Sequence, residues 1–301
     1  NYQNRKVFIM KTPIRYAGGK SKAYNIITEQ LPTCLPERII SPFMGGGSLE
    51  SRWSSELGVE VIGYDIFDAL TNFWNVLLTD SDVLADKLAL LSPTKDKYKE
   101  IKEILIQWDY TQEMLSGWKT DYYKRDSITL DNVTAAAYYY HNHNLSYGPM
   151  YLGWMSKIYE SQDKWNNAIK RIREYKNPNL TVHKGTFDEV IPNHTNDFLY
   201  LDPPYYLDKD KDNKMFKGLY PNANIAVHHK GFDHEQLRDL LHNHKGNFIL
   251  SYNDCETIRE YYNDFEILYP KWHNSYAYNT DKGGNAERKS KESHEILICK
   301  K

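Results

Sequence analysis

The chain has 301 residues, of which 41% are hydrophobic, so it can bury a large core in one domain or in one domain with an insertion. With 38 Lys and Arg residues against 40 Asp and Glu residues, the net charge is -2, which excludes a uniformly basic coat; any positive field for nucleic acid must be local. The three cysteines form no CxxC pair, and no apolar run reaches roughly 18 residues. We therefore expect a cytoplasmic protein with reduced thiols and no membrane span.

Short apolar runs that end at Gly, Pro or Asp predict buried strands. Helical patterns lie between them, with LTNFWNVLLTD after the second strand and HEQLRDLLHNH before the last. Strands that alternate with helices predict an α/β fold with a parallel, doubly wound sheet. The predicted strands are RIISPF (38–43), VEVIGYD (59–65), LTVH (180–183), DFLYLD (197–202) and NFILSY (247–252).

Residues 81–174 differ from the rest of the chain. The segments KDKYKEIKEI, DYYKRD and KWNNAIKRIREYK are basic and aromatic and lack strand periodicity. We predict a mostly helical insertion with a positive stripe, although composition alone fits a solvated helical face equally well. The predicted domains are therefore 1–80 together with 175–301 for the sheet, and 81–174 for the insertion.

A glycine-rich turn, SPFMGGGSLE (41–50), follows the first strand and precedes a predicted helix. Glycine lets the backbone turn sharply and approach a ligand closely, and Gly45 and Gly47 are the candidates for that role. The full G-x-G-x-x-G fingerprint is absent, because Leu49 and Glu50 stand where the last glycine would fall. Such turns are common after strands, so this motif alone leaves a ligand site open.

The segment IGYDIFD (62–68) places Asp65 at the end of the second strand. An acid at that position of such a sheet can hydrogen-bond both ribose hydroxyls of a nucleoside. The alternative for Asp65 is a helix N-cap.

The segment FLYLDPPYYLD (198–208) puts Asp202 at the carboxyl edge of the sheet, where ligands bind in this architecture. Pro203 and Pro204 have fixed φ angles and no N–H, but their carbonyls remain acceptors. An acid and a carbonyl can together accept both hydrogens of an amino group, which turns the nitrogen lone pair out of the ring plane. Tyr205 then offers a face on which the ring can stack. The segment predicts a site that activates a planar amine; a plain strand-end turn is the alternative.

In this order, the motifs resemble those of the amino-group DNA methyltransferases that use S-adenosylmethionine, and most of all the Dam-type, alpha-group adenine-N6 enzymes. RYAGGKSKA (15–23) resembles their aromatic-Ala-Gly-Gly-Lys element, SPFMGGGS resembles their F-x-G-x-G turn, Asp65 matches their ribose acid, and DPPY is their catalytic tetrapeptide. KGGNAERKSKESHEILI is similar to their late basic loop before a final strand. The resemblance covers nearly the whole chain.

This resemblance implies a Rossmann-like methyltransferase sheet with 81–174 as an inserted target-recognition domain. It also implies S-adenosylmethionine as cofactor, S-adenosylhomocysteine as product, double-stranded DNA as partner, and a place near the nucleoid of a bacterial or phage-infected cell. A paired restriction endonuclease is left open by the family, and neither the recognition sequence nor the oligomeric state can be read from one chain.

The resemblance also implies residue roles. Elements near the N-terminus would close over the cofactor, the glycine turn would line its methionine end, and GTFDEVI (185–191) would meet its adenine, where Thr186 departs from the family's usual Asp. The expected catalytic residues are Asp202, Pro203, Pro204 and Tyr205. The expected cofactor-binding residues are Tyr16, Gly18, Gly19, Lys20, Phe43, Gly45, Gly47, Asp65, Thr186, Phe187 and Asp202.

YYYHNHNLSYGPMYLGW (138–154) falls where the family contacts DNA. The match is loose, and the Asn-Gly and Arg of Dam are not reproduced, so recognition of GATC is unsupported. Basic residues of the insertion and of the late loop are expected to contact phosphates. The expected DNA-binding residues are Asn144, Tyr147, Arg288, Lys289 and Lys291.

Two other readings are rejected. GGKS (18–21) suggests a phosphate loop, but the Walker pattern needs glycine at position 14, where Ile14 stands, and no strand precedes it. The histidines lack companion acids or thiols at ligand spacing, so we predict no metal site and expect exposed or capping histidines. These histidines are His141, His143, His228, His229, His242 and His244.

Other substrates stay open at this point. Cytosine-N4 enzymes resemble this chain but more often carry Ser at the position of Asp202, and RNA bases and protein glutamine are also amine or amide targets. A catalytically silent DNA-binding module of the same fold is a further alternative. The acid favours adenine, and the intact Asp202–Tyr205 segment argues against a pure binder.

Overall fold

A computed structural model describes residues 10–111, 126–148, 150–206, 232–271 and 294–301. The chain packs as two units, each built from discontinuous segments. The first unit comprises 1–19, 45–58 and 65–184, and the second comprises 20–44, 59–64 and 185–301. The assignment of 81–174 as a target-recognition domain stays a prediction. In the described ranges, no helix has both the length and the apolar character needed to cross a membrane.

All five predicted strands form, with ends that differ from the prediction by at most two residues, and two further strands join them. Together they make a seven-stranded sheet in the order β3-β2-β1-β4-β5-β7-β6, which confirms the Rossmann-like α/β fold class. The strands are β1 (Arg38–Ser41), β2 (Glu60–Asp65), β3 (Leu180–Lys184), β4 (Phe198–Leu201), β5 (Phe248–Asn253), β6 (Glu266–Leu268) and β7 (Glu295–Lys300).

The sheet is mixed rather than wholly parallel. β1 pairs in parallel with β2 and with β4, and β4 pairs in parallel with β5, as predicted. β7 is antiparallel to both β5 and β6, which the alternation of strands and helices did not predict. In the β5–β7 register Glu295 lies opposite Asn253, so the first residue of β7 is at the carboxyl end of β5.

The core of the second unit surrounds β4. All four residues of FLYL are buried, as expected for a strand that is covered on both faces. Leu237 and Leu241, four residues apart on a helix, are fully buried in the same cluster as the β4 and β5 leucines. Asp233 caps that helix by accepting a hydrogen bond from the Gln236 N–H at 2.8 Å. This rigid core holds the residue that follows β4.

The described part of the first unit is mostly helical between residues 65 and 184. Side chains at three N-caps, Thr94, Asp131 and Ser161, accept hydrogen bonds from the first turns of their helices. The α-helices in the described ranges are α1 (Tyr24–Thr28), α2 (Glu50–Arg52, continued by a π-helical turn at Trp53–Leu57), α3 (Asp68–Thr79), α4 (Ser81–Ala89), α5 (Lys95–Gln107), α6 (Asn132–Leu145), α7 (Gln162–Glu174), α8 (Phe187–Asn193), α9 (His234–Asn243) and α10 (Glu256–Tyr261).

Candidate active site

The glycine turn is held tightly in the first unit. Gly45 has a φ of +47°, a left-handed conformation that favours glycine. Its N–H donates to Asp65 Oδ2 at 2.9 Å, and its carbonyl accepts from Trp74 Nε1 at 3.0 Å. A Cβ at Gly45 would lie 3.0 Å from Tyr16 Cε1, and one at Gly46 only 2.3 Å from Tyr16 Cβ. Tyr16 therefore packs directly on a turn whose backbone leaves no room for side chains.

Asp65 fixes this turn from the end of β2. Its Oδ2 accepts from Gly45, and its Oδ1 accepts from the Phe67 N–H at 3.0 Å. The N-cap of α3 is Phe67, so Asp65 is not the cap of that helix.

Histidines of α6 are buried, contrary to the expectation that they are exposed or act as caps. His143 stacks between Tyr16 and Tyr139, at centroid distances of 5.6 and 5.3 Å, and bonds the Arg15 carbonyl through Nε2 at 2.7 Å. His141 bonds the Ser92 carbonyl at 2.9 Å. Burial lowers the pKa of each to about 4, so both are neutral at physiological pH.

The other four histidines in that prediction differ in outcome. His244 is buried and bonds the Asp197 carbonyl, whereas His242 is exposed as expected. His228 and His229 lie outside the described residues. In the described part of the chain, no group of three or more His, Cys, Asp or Glu side chains is placed to hold a metal ion.

A cluster of charged side chains lies at the end of β4 in the second unit. Lys20 Nζ lies 2.9 Å from Asp202 Oδ1 and 3.3 Å from Glu295 Oε2. It also donates to the Tyr205 hydroxyl at 3.3 Å. The Lys20 side chain is 3% exposed, whereas that of Asp202 keeps 23% of its exposure. One buried ammonium thus holds two carboxylates, and Asp202 remains accessible.

Burial raises the pKa of Asp202 to about 6; the Lys20 ammonium opposes this shift and the Glu295 charge adds to it. Burial alone would lower the pKa of Lys20, but the charges of Asp202 and Glu295 outweigh it and raise that pKa well above its ordinary value. Lys20 therefore stays charged, and Asp202 titrates close to physiological pH.

The contacts of Lys20 and Glu295 at Asp202 were not predicted from the sequence. Lys20 was expected at the cofactor, yet its ammonium contacts the catalytic segment, and its cofactor role stays a prediction. Glu295 was not predicted, and it also accepts a hydrogen bond from the buried Ser251 hydroxyl at 3.3 Å. An acid at the start of the final strand is its only sequence signal, and that signal has meaning only once β7 is known to run antiparallel to β5.

The backbone after the predicted catalytic segment is fixed by Asn253, a second residue that was not predicted. The Tyr206 N–H donates to Asn253 Oδ1 at 2.9 Å, and Asn253 Nδ2 donates to the Tyr206 carbonyl at 3.0 Å. Pro203 is buried, whereas Pro204 and Tyr205 are half-buried. The end of β5 therefore holds the chain just beyond Tyr205 with two hydrogen bonds.

Three half-buried phenylalanines gather in the second unit. Phe187 lies 5.8 Å from Phe43 and 4.9 Å from Phe232 between ring centroids. Phe43 and Phe187 were predicted as cofactor contacts, and Phe232 was not. Thr186 occupies the N-cap of α8 without a capping hydrogen bond from its side chain. A purine ring binds well to half-buried aromatic faces, so these residues fit an adenosine-containing cofactor.

Of the residues expected to bind DNA, only Asn144 and Tyr147 lie in the described part of the chain. Asn144 is 7% exposed on α6, and its backbone carbonyl accepts from Arg15 Nη1 at 2.8 Å. Tyr147 stacks on Trp154 at 4.6 Å, and Trp154 is 49% exposed. Arg288, Lys289 and Lys291 lie outside the described residues. All five DNA-binding roles stay predictions.

A protein-family model described as D12 class N6 adenine-specific DNA methyltransferase matches residues 16–276. The chain belongs to this family. The matched range begins at Tyr16 and includes the glycine turn, Asp65 and the Asp202–Tyr205 segment, and it confirms the predicted family. A comparison with curated proteins finds no match.

Membership of the D12 class makes this chain an enzyme that methylates the N6 amine of adenine in DNA. Methyltransferases of this type normally take the methyl group from S-adenosylmethionine. Both the half-buried phenylalanines and the glycine turn fixed by Asp65 fit that cofactor.

Proposed function

We propose that this methyltransferase acts on an adenine flipped out of duplex DNA, and that the Asp202–Tyr205 segment holds the flipped base. The observation that carries the proposal is the state of Asp202 at the end of β4. Its Oδ1 is fixed by Lys20 while the side chain stays 23% exposed. Among the described residues, Oδ2 has no hydrogen-bond or ion-pair partner. An oriented carboxylate with one oxygen still open can accept a hydrogen from an incoming amine.

The amine is held by two acceptors. Asp202 accepts one N6 hydrogen and the Pro203 carbonyl accepts the other, which directs the nitrogen lone pair out of the plane of the base. Tyr205 stacks on the ring, and the two hydrogen bonds between Tyr206 and Asn253 keep the following backbone in place. Orientation of this kind supplies a large share of rate acceleration in group transfer.

Flipping is required because N6 is paired inside the duplex. Extruding a base costs on the order of a few kcal/mol, part of which stacking on an aromatic face such as Tyr205 recovers.

Lys20 has two effects on Asp202 in this mechanism. Its ammonium fixes the carboxylate orientation, and its positive charge favours the ionised form against burial. S-adenosylmethionine supplies a methyl group that is already electrophilic on a sulfonium sulfur. Asp202 therefore need not be a strong base: the N6 proton can leave to the carboxylate or to water after the amine has become cationic.

We propose that Asp65 binds the ribose of the cofactor and that Phe43 and the Gly45–Gly47 turn line its methionine end. Tyr16 with Gly18 and Gly19 closes over it, and Gly18 has a φ of +76°, a left-handed conformation that favours glycine. Phe187 contacts the cofactor beside Thr186.

Transfer of labelled methyl from S-adenosylmethionine to unmethylated genomic DNA, followed by nucleoside analysis, tests the proposal. We expect N6-methyladenine, with duplex DNA a better substrate than the same DNA made single-stranded. DNA already methylated with unlabelled cofactor is the matched control and should accept little label. N4-methylcytosine as the product would overturn the base assignment, and equal transfer to single strands would remove the need for flipping.

A further inference from the structure

A pocket of about 310 Å³ lies in the first unit, and none of the residues with a predicted catalytic role lines it. Its lining includes the cations Arg15, Lys164 and Arg171, together with Tyr159 and Asn167. None of the described residues that line it is acidic. In a chain whose net charge is -2, such a pocket is a local source of positive field.

The helical repeat of α7 places its basic residues at the pocket. Lys164, Asn167 and Arg171 follow one another at intervals of three and four residues, so they share one face of the helix. Trp165 and Ile172 are buried and anchor the helix to the core. Lys164 and Arg171 are exposed.

Arg15 is held in a fixed position at this pocket. Its Nη1 donates to the Asn144 carbonyl at 2.8 Å, and its Nη2 donates to the Tyr159 hydroxyl at 2.9 Å. The guanidinium also lies 4.7 Å from the centroid of the Tyr159 ring. A guanidinium fixed in this way loses little rotamer freedom on binding an anion.

Two cations of α7 lack the partners that its other cations have. Lys170 pairs with Glu174 at 3.7 Å, and Arg173 pairs with Asp86 at 2.6 Å. Within the described ranges, neither Lys164 nor Arg171 has an ion-pair partner. Among the described residues, no acid therefore pairs with the positive charge that Lys164 and Arg171 bring to the pocket.

Arg15 and Arg171 both line the pocket, and the charges of both act on one buried phenol. Burial raises the pKa of Tyr140 to about 12, and the charges of Arg171 and Arg15 both oppose this rise.

We propose that this pocket binds a phosphate group of the DNA backbone through Arg171, Lys164 and Arg15. The inference rests on DNA being the substrate, as in the proposed function. Guanidinium groups match the geometry of phosphate oxygens, and a lysine adds a flexible point charge. A free nucleotide is a poorer fit, because the Tyr159 ring is already covered by Arg15 and Trp165 is buried, so neither offers a face to a base.

Salt-dependent binding of the full chain to a fluorescent duplex tests the proposal. Arg171→Gln and Lys164→Gln should each lower the steepness of log affinity against log salt by about 0.9 and weaken binding several-fold. Arg171→Lys keeps the charge and should keep the steepness. Lys170→Gln is the matched control, because it removes the same charge from the same helix outside the pocket, and it should bind like the wild type.

The thermal unfolding temperature of each variant is the control for folding. It should equal that of the wild type, because the substituted residues are exposed on a well-anchored helix. Unchanged salt steepness in Arg171→Gln and Lys164→Gln would overturn the proposal. A different result would be that inorganic phosphate stabilises the wild type but not Arg171→Gln, while Arg171→Gln binds DNA with unchanged salt steepness. That result would show that the phosphate bound in this pocket does not come from the DNA backbone. A wild-type chain that binds DNA with the full salt dependence but transfers no methyl group would refute the proposed reaction and leave this contact standing.

Discussion

The two units use charge in opposite ways. In the second unit Lys20 lies within 3.3 Å of both Asp202 and Glu295, and the Lys20 and Glu295 side chains are nearly inaccessible. In the first, Lys164 and Arg171 are exposed beside a pocket that none of the described acids lines. Buried pairs depend on geometry and are screened little by salt, whereas exposed charges act over about a Debye length and are screened strongly. We therefore expect the activity of the Lys20–Asp202–Glu295 cluster to depend on pH, and DNA binding at the Lys164 and Arg171 pocket to depend on salt.

The largest effect on stability should come from Lys20→Met, which leaves the carboxylates of Asp202 and Glu295 without their cation. Removing one partner of a buried ion pair costs about 3–5 kcal/mol of stability. The pKa of Asp202 should rise further, so methyl transfer near neutral pH should fall at least tenfold and recover partly at higher pH. Urea unfolding and a pH series of methyl transfer measure both. Wild-type stability in this variant would show that the cluster is not a paired, buried unit.

The pH dependence of methyl transfer should show an acid limb near pH 6, the pKa of Asp202. Below that pH the carboxylate is protonated, so the rate should fall about tenfold per pH unit. Because the pKa of this acid is raised in the folded state, its protonation favours the fold as pH falls. Activity should therefore be lost between pH 6 and pH 5 without a loss of stability from this group. A rate that stays flat down to pH 4.5 would contradict the role of Asp202.

Glu295→Gln should shift that acid limb to lower pH. Glu295 raises the pKa of Asp202, and without its charge Lys20 pairs with Asp202 alone. Because one neighbouring charge is lost, we expect the acid limb of the pH–rate profile to move by roughly half a pH unit or more. Glu266→Gln, an exposed acid on β6, is the matched control and should leave the limb in place. A merely structural role for Glu295 would lower the rate at every pH alike.

The smallest effect should come from the uncharged glycine turn. Gly45→Ala places a methyl group 3.0 Å from Tyr16 in a left-handed conformation. That conformation costs an L-residue about 1–2 kcal/mol. Gly58→Ala has a similar φ of +69° but meets nothing within 4 Å. Both variants should lose stability, and only Gly45→Ala should also bind S-adenosylmethionine more weakly by calorimetry. Equal cofactor affinity in the two variants would remove the turn from the binding site.

The features that sequence alone predicted are local ones. The apolar runs became strands because a buried strand needs only a few consecutive residues, and the order of the glycine turn, Asp65 and Asp202 identified the family. Glu295 and Asn253 could not be found in this way. Asn253 reaches the site through the parallel pairing of β5 with β4, and Glu295 through the antiparallel pairing of β7 with β5, in each case between residues more than 40 positions apart in the chain.

The buried histidines show the same limit. His141 and His143 lie on a helix with no clear apolar face, so their polarity suggested exposure. One ring nitrogen of each bonds a distant carbonyl, that of Ser92 for His141 and that of Arg15 for His143, and a sequence pattern does not reveal such partners.

The most direct test of the account is Asp202→Ala, measured for methyl transfer to DNA and for binding of S-adenosylmethionine. Asp254→Ala is the control, since Asp254 follows the neighbouring strand β5 and pairs with Arg259 at the surface. We expect Asp202→Ala to lose transfer below detection while cofactor affinity stays within a few-fold of wild type, and Asp254→Ala to retain both. Substantial transfer by Asp202→Ala, or loss of cofactor binding in a folded protein, would contradict the assignment of Asp202 to the target amine.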